Sequence, residues 1–69
     1  MNRQPVTSSN VADVGYDAVS MTLEIGFKDG TVYQYFDVPE SVYQELLFAD
    51  SVGQFLNRQI KSSYRYAKV

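Results

Sequence analysis

The sequence predicts an α+β fold, in which a three-stranded antiparallel meander is covered on one face by two α-helices in the order βββαα. Three observations lead to this fold. An Asp29-Gly30 pair lies between two alternating apolar runs, which is the strongest short-range hairpin signal. Apolar residues recur at helical spacing after Pro39. Ser51, followed three residues later by Gln54, marks the start of a second helix.

Length and composition indicate one small domain. The chain has 69 residues and no cysteine, so neither a disulfide nor a thiolate metal site can stabilise it. Residues 1–7 are mostly polar, and we expect them to form a flexible tail before a single domain at residues 8–69. No apolar run approaches the roughly 18 residues of a membrane span, and the start does not resemble a signal peptide. We therefore expect a cytoplasmic protein with no membrane partner.

Three segments alternate in the manner of strands. They are Val11 to Asp17, Met21 to Lys28 and Thr31 to Asp37. A two-residue type I′ loop at Asp29-Gly30 would place Phe27 opposite Val32 and Leu23 opposite Phe36. The expected core face is then Leu23, Ile25, Phe27, Val32, Gln34 and Phe36. The opposite face would carry Glu24, Gly26, Lys28, Thr31, Tyr33 and Tyr35.

The first helix should begin at Pro39, which suits the first helical position, with Val38 as the capping residue. It should end near Ala49-Asp50. Its buried stripe is expected to be Val42, Tyr43, Leu46 and Leu47.

The second helix should begin after Ser51 and carry an apolar stripe on one side. That stripe would comprise Val52, Phe55, Leu56, Ile60 and Tyr64. Arg58, Lys61 and Arg65 would then cluster on the opposite side, if the helix continues to Arg65. Two interpretations remain open. The bases either form an ordinary solvated face that complements the helix dipole, or they contact phosphates beside Tyr64 or Tyr66 as a stacking neighbour.

Tyr33 and Tyr35 also allow two interpretations. Tyrosine is a good strand former, so both can simply pack against the sheet or a neighbouring segment. Alternatively, they form a platform on which nucleotide bases stack. If the helices cover the face that carries Leu23, these tyrosines lie on the opposite side of the sheet from the basic residues.

The composition excludes several kinds of chemistry. The chain has neither histidine nor cysteine, which removes Ser-His and Cys-His nucleophile pairs and the common zinc ligands. We expect no catalytic residue, no metal and no cofactor. The net charge is −2, but all eight acids lie between Asp13 and Asp50, and only bases follow from Arg58 onward. This asymmetry favours a polyanionic partner.

Several short motifs resemble those of one known family. They are Ser8-Ser9-Asn10, Val14-Gly15-Tyr16-Asp17, Phe27 with Gly30, Tyr33-Gln34-Tyr35, Val38-Pro39, Ala49-Asp50-Ser51-Val52-Gly53, Phe55-Leu56-Asn57 and Ile60-Lys61. In this order and spacing they resemble the KTSC family, a small domain named for the C-terminus of some lysyl-tRNA synthetases. The family also occurs as stand-alone short bacterial proteins, and this chain resembles that form.

The resemblance implies a noncatalytic domain that binds RNA weakly, with a tRNA-like RNA as partner. Tyr33 and Tyr35 match the Tyr-x-Tyr signature of the family, and Lys61 matches through Ile60-Lys61. Arg58 and Arg65 join this candidate RNA-binding set from the helical spacing alone. The alternative is protein–protein interaction or homodimerisation, through the tyrosine-bearing face or a sheet edge.

Overall fold

In a computed structural model that describes residues 1–69, a single antiparallel sheet carries two helices on one face. Its strands, adjacent in chain order, are β1 (Arg3–Pro5), β2 (Val11–Asp17), β3 (Thr22–Phe27), β4 (Val32–Tyr35) and β5 (Tyr66–Lys68). Helix α1 spans Glu40–Phe48, and helix α2 spans Val52–Phe55 and continues into a π-helical turn at Leu56–Ile60. The predicted α+β architecture and both helices are confirmed, whereas the sheet has five strands and not three.

The first unexpected strand is β1, which lies in the segment that was expected to be a tail. Its residues are exposed and show no apolar alternation, so nothing local in the sequence indicates a strand. It is held by backbone pairing with β2 and by Arg3, which forms ion pairs with Asp13 and Glu24 at 2.8 and 2.5 Å. These partners are distant in sequence, which is why the pattern of residues 1–7 did not reveal them.

The second unexpected strand, β5, forms because the last helix ends earlier than its apolar spacing indicated. The amide of Lys61 donates to the carbonyl of Leu56 at 2.9 Å, which closes the wide π-helical turn. The chain then reverses, and Tyr66 pairs with Tyr35 on β4. The helix does not continue to Arg65, so the condition on which a single basic stripe depended is not met.

The β3–β4 hairpin has a three-residue loop at 28–30 instead of the predicted two-residue loop. The amide of Phe27 donates to the carbonyl of Thr31 at 2.8 Å, and Gly30 has a φ of 92°. A turn followed by one left-handed residue is the common three-residue hairpin loop, and glycine adopts that conformation without strain. Leu23 consequently pairs with Tyr35 and not with Phe36.

This shift of one residue reverses the two faces of β4. Tyr33 and Tyr35 lie on the side that the helices cover, whereas Gln34 lies on the opposite side and donates to Glu24 at 2.8 Å. The predicted face assignment of β4 is therefore wrong, although that of β3 at Leu23 and Ile25 is right. The buried apolar core consists of Val11, Val14, Leu23, Ile25, Tyr35, Val38, Leu46, Val52, Leu56 and Ile60.

The two helices supply the cover that the sheet face needs. The whole predicted stripe of α1 packs on the core, as do the predicted stripe residues of the second helix. Helix α1 has Pro39 as its cap, one residue later than the Val38 predicted, and Ser51 caps α2 by accepting from the amide of Gln54 at 3.2 Å. Neither helix has the length and apolar character required to cross a lipid bilayer.

On the sheet face that the helices leave uncovered, the side chain of Arg3 lies over the middle of the sheet. Arg3 lies across two buried glycines, Gly15 and Gly26, where a β-carbon would come within 3.0 Å of its Cγ and 3.2 Å of its Nε. Asp13 and Glu24 accept hydrogen bonds from its guanidinium. Small residues in the middle of the sheet thus make room for an ion-pair network on the solvent side.

Candidate functional site

A cleft of about 420 Å³ opens at one edge of the molecule. It lies where the β3–β4 hairpin, strand β5 and the end of the π-helical turn meet. Its aromatic lining comes from Phe27, Tyr33, Tyr35 and Tyr66. Its polar lining comes from Asn10, Asp29, Thr31 and Lys61. A concave site with an aromatic wall and a few polar groups is the usual form of a ligand site.

Four rings form the aromatic wall because of the strand register. Tyr35 pairs with Tyr66, which sets the Tyr66 ring 5.8 Å from that of Tyr35 and 6.0 Å from that of Tyr33, measured between centroids. The Tyr33 ring meets Phe27 edge to face at 5.9 Å. These distances and the edge-to-face geometry are in the favourable range for aromatic pairs, so the wall is a pre-formed surface.

The rings differ in how much of them a ligand can reach. Tyr66 is 59% exposed, Tyr33 is half-buried and Tyr35 is only 2% exposed. Burial raises the pKa of the Tyr35 phenol, and the neighbouring Tyr33 and Tyr66 hydroxyls raise it further. Tyr35 is therefore a neutral floor residue, and Tyr66 with part of Tyr33 forms the accessible stacking surface.

Lys61 supplies a positive charge at this cleft. Its amino group lies 6.0 Å from the centroid of the Phe27 ring, which is within the range of a cation–π contact. The π-helical turn positions it, since the hydrogen bond that closes the turn starts at the Lys61 amide. A positive charge beside aromatic rings in an open cleft is a combination that also occurs in sites for single-stranded nucleic acid.

Asp29 gives the cleft an acidic group in the hairpin loop. Its Oδ1 accepts from both the amide and the hydroxyl of Thr31, at 3.0 and 2.7 Å. These two hydrogen bonds, the amide first, lower the pKa of the Asp29 carboxyl, and the charge of Lys68 adds to the effect. The carboxylate is consequently charged at neutral pH.

The structure brings some of the predicted site residues together and separates others. Tyr33 and Lys61 line the same cleft, and Tyr35 lies beneath it. Arg65 instead donates to Asp37 at 2.7 Å and lies over the ring of Phe36 at 5.6 Å.

Arg58 is also separate from the cleft. It lines a shallow groove beside Asp50, Ser51, Gln54 and Phe55. The three predicted bases therefore do not form one strip.

Sequence reasoning named Tyr66 only as a neighbour and missed Phe27, Asp29 and Asn10. The alternation of Tyr66, Ala67 and Lys68 is consistent with a short strand, but three residues are too few to predict one. Phe27 was placed in the core and Asp29 in a turn, and both positions are compatible with a role at the cleft. The length of the hairpin loop could not be predicted from the sequence. That length determines the register of β4, and so the positions of the aromatic rings on β4 and β5.

A second surface feature lies between β1 and the end of α1. Phe48 is 84% exposed there, beside Leu47, Val6 and Pro5. The acidic side chains of the chain form no group that could hold a metal ion.

Comparisons with known proteins agree with this architecture. A family model described as the KTSC domain matches residues 7–64. The crystal structure of a KTSC domain protein from Yersinia pestis aligns with a TM-score of 0.93 at 40% sequence identity, and covers 99% of this chain and 96% of that one.

Two relatives show the settings in which similar chains occur. An uncharacterized protein of Stutzerimonas stutzeri is 40% identical over 70 residues, which cover 100% of this chain and 99% of that protein. A lysine–tRNA ligase of Trichormus variabilis is 36% identical over 61 residues, which cover 88% of this chain but only 11% of the ligase. Similar domains thus occur both alone and as a small part of a larger enzyme.

Proposed function

Because the chain belongs to the KTSC domain family, which also supplies a small part of lysine–tRNA ligases, we propose that it binds single-stranded RNA without catalysing a reaction. The site is the cleft lined by Tyr33, Tyr66 and Lys61. The ligand is an unpaired nucleotide of a tRNA-like RNA, and the protein acts in the cytoplasm.

The observation that carries this proposal is an accessible tyrosine beside a cation. The Tyr66 ring is largely exposed, is braced by the rings of Tyr33 and Tyr35, and shares its cleft with Lys61. Base stacking on an aromatic ring accepts any nucleotide, and a nearby lysine neutralises the phosphate that follows. The volume of about 420 Å³ suits one nucleotide and not a long strand.

Fluorescence anisotropy with a labelled RNA octamer of mixed sequence tests the proposal. Removing a stacking ring typically costs about 1–3 kcal/mol, so Tyr66→Ala should weaken binding by roughly 5- to 150-fold. Lys61→Gln should weaken binding at low salt and have less effect at high salt.

Phe48→Ala is the matched control, because it removes an exposed aromatic ring that lies outside the cleft. It should leave RNA affinity unchanged. Equal losses of RNA affinity in Tyr66→Ala and Phe48→Ala would refute a specific RNA site in this cleft. So would the absence of binding by the wild-type protein at near-millimolar RNA and low salt.

Self-association is a second candidate, which the open sheet edges favour. Strand β5 pairs only with β4, so its outer backbone groups face solvent, and its residues are exposed. On the other edge, Pro5 removes one amide donor from β1. Sedimentation velocity over a hundredfold range of concentration would reveal a dimer, and a constant monomer would exclude it.

A further inference from the structure

We propose that Asp29 selects the base that enters the cleft, and that it favours bases with an exocyclic amine over uracil. This inference rests on the proposed RNA binding and adds a specificity to it. It gives a role to the one acidic side chain among the eight residues that line the cleft. A carboxylate would weaken binding if it faced a phosphate, so its position indicates that it meets another part of the ligand.

The hydrogen bonds of Asp29 leave one oxygen available. Oδ1 accepts from the amide and the hydroxyl of Thr31, which fixes the side chain against the hairpin loop. Oδ2 accepts no hydrogen bond from another residue. The loop thus holds a charged acceptor at a defined place, and a charged acceptor selects donors.

The bases differ in the donors that they offer to a carboxylate. Cytosine presents the N4 amine, which is the usual partner of aspartate, and adenine and guanine also carry an exocyclic amine. Uracil presents a carbonyl oxygen in place of the cytosine amine. Its only donor on that edge, N3–H, lies between two carbonyl oxygens, which a carboxylate repels. An unstacked base on Tyr66 can turn its Watson–Crick edge toward such a group.

Three side chains that line the cleft then have separate roles. Lys61 beside Phe27 takes the phosphate, the Tyr66 ring takes the face of the base, and Asp29 reads the edge. The pKa of Asp29 is already lowered by its hydrogen bonds with Thr31, so the carboxylate remains ionised as an acceptor at neutral pH.

Cytidine and uridine octanucleotides provide the test, because their bases differ only at position 4, amine against carbonyl, and in the hydrogen on N3 of uracil. The wild-type protein should bind the cytidine octamer about five- to tenfold more tightly than the uridine octamer. Asp29→Asn should bring this ratio to about one or below, because the amide offers a donor where the carboxylate offered an acceptor. The variant keeps an Oδ1 that can accept from Thr31, so the hairpin loop should persist, which thermal unfolding would verify.

Glu45→Gln is the control, since it makes the same change of charge on the exposed surface of α1, outside the cleft. It should leave the ratio unchanged. Equal affinity of the wild-type protein for both octamers, or an unchanged ratio in Asp29→Asn, would overturn the role of Asp29 while RNA binding stood. Absence of binding to either octamer would overturn both proposals together.

Discussion

At the scale of single residues, Gly15 shows how the sheet depends on small side chains. A β-carbon at Gly15 would lie 2.5 Å from the backbone oxygen of Asn2 and 3.0 Å from Cγ of Arg3. Backbone cannot move aside as a flexible side chain can, so Gly15→Ala should push β1 off β2. We expect a loss of about 1–3 kcal/mol in the free energy of unfolding, measured by urea denaturation.

Gly53→Ala is the control for that substitution. Its β-carbon would meet only the side chains of Asn10 and Ser8, at 3.2 and 3.6 Å, and alanine is the better helix former. Its stability should be equal to or above that of the wild type. If Gly15→Ala were as stable as Gly53→Ala, the close approach of the N-terminal segment would not exist in solution.

Glu24 makes the stability of the protein depend on pH. The residue is buried, and hydrogen bonds from Gln34 and then from Arg3 lower the pKa of its carboxyl below the ordinary 4.5. A lowered pKa favours the ionised form in the folded state. Its stabilising effect is therefore complete well above pH 4.5 and is lost as the pH falls through the folded-state pKa.

Urea denaturation at pH 7, 5 and 3 should show this effect in the wild type. Glu24→Gln removes the titrating group, so its stability should fall less between pH 5 and pH 3 than that of the wild type. The comparison is needed because the carboxyls of Asp17 and Asp29 also have lowered pKa values. Parallel pH profiles for the two proteins would show that the network of Arg3 and Glu24 does not form.

At the scale of elements, the hairpin shows what the sequence could and could not predict. Asp29-Gly30 predicted a reversal at the right place, and the alternation of β3 predicted its buried face correctly. The loop length was ambiguous, because glycine fits both the two-residue loop and the third position of a three-residue loop.

The hydrophobicity of the β4 side chains does not show which face of that strand is buried, and so does not distinguish the two loop lengths. Val32 and Phe36 are apolar on one face, and Tyr33 and Tyr35 are aromatic on the other. The deciding signal was polar: Gln34 faces Glu24 on the side where Arg3 lies. Arg3 belongs to a strand that has no local pattern, so this signal became readable only in three dimensions. The cleft could not be predicted for the same reason, since it forms only with the observed register, which brings Tyr33, Tyr35 and Tyr66 together.

The second helix was predicted from its cap, and the cap can be tested. Ser51 accepts from the amide of Gln54 at 3.2 Å, so Ser51→Ala leaves that amide without its partner. We expect a loss of about 1 kcal/mol in the free energy of unfolding. Ser41→Ala, at an exposed position of α1, should change it by less than about 0.5 kcal/mol. Equal effects would mean that the Ser51 side chain does not cap the helix in solution.

At the scale of the whole molecule, the charge asymmetry of the sequence does not become one basic surface. Arg65 is paired with Asp37, and Arg58 lies in a groove away from the aromatic cleft. Lys61 is the only basic residue that lines the cleft, and Lys68 lies near enough for its charge to lower the pKa of Asp29. A bound RNA strand should therefore contact one or two phosphate-neutralising side chains and not four.

This count fixes how steeply binding should depend on salt. For single-stranded nucleic acid, the slope of log K against log salt concentration is about −0.7 for each neutralised phosphate. We expect a wild-type slope of about −0.7 to −1.4, measured by fluorescence anisotropy. The salt concentration should run from roughly 25 to 200 mM potassium chloride, because exposed charges are incompletely screened in this range. Lys61→Gln should bring the slope closer to zero by about 0.7, whereas Arg58→Gln should leave it unchanged. A slope near −3, reduced equally by both substitutions, would mean that all the C-terminal bases bind together. RNA would then lie across the outer surface of the molecule, and the cleft would not be its site.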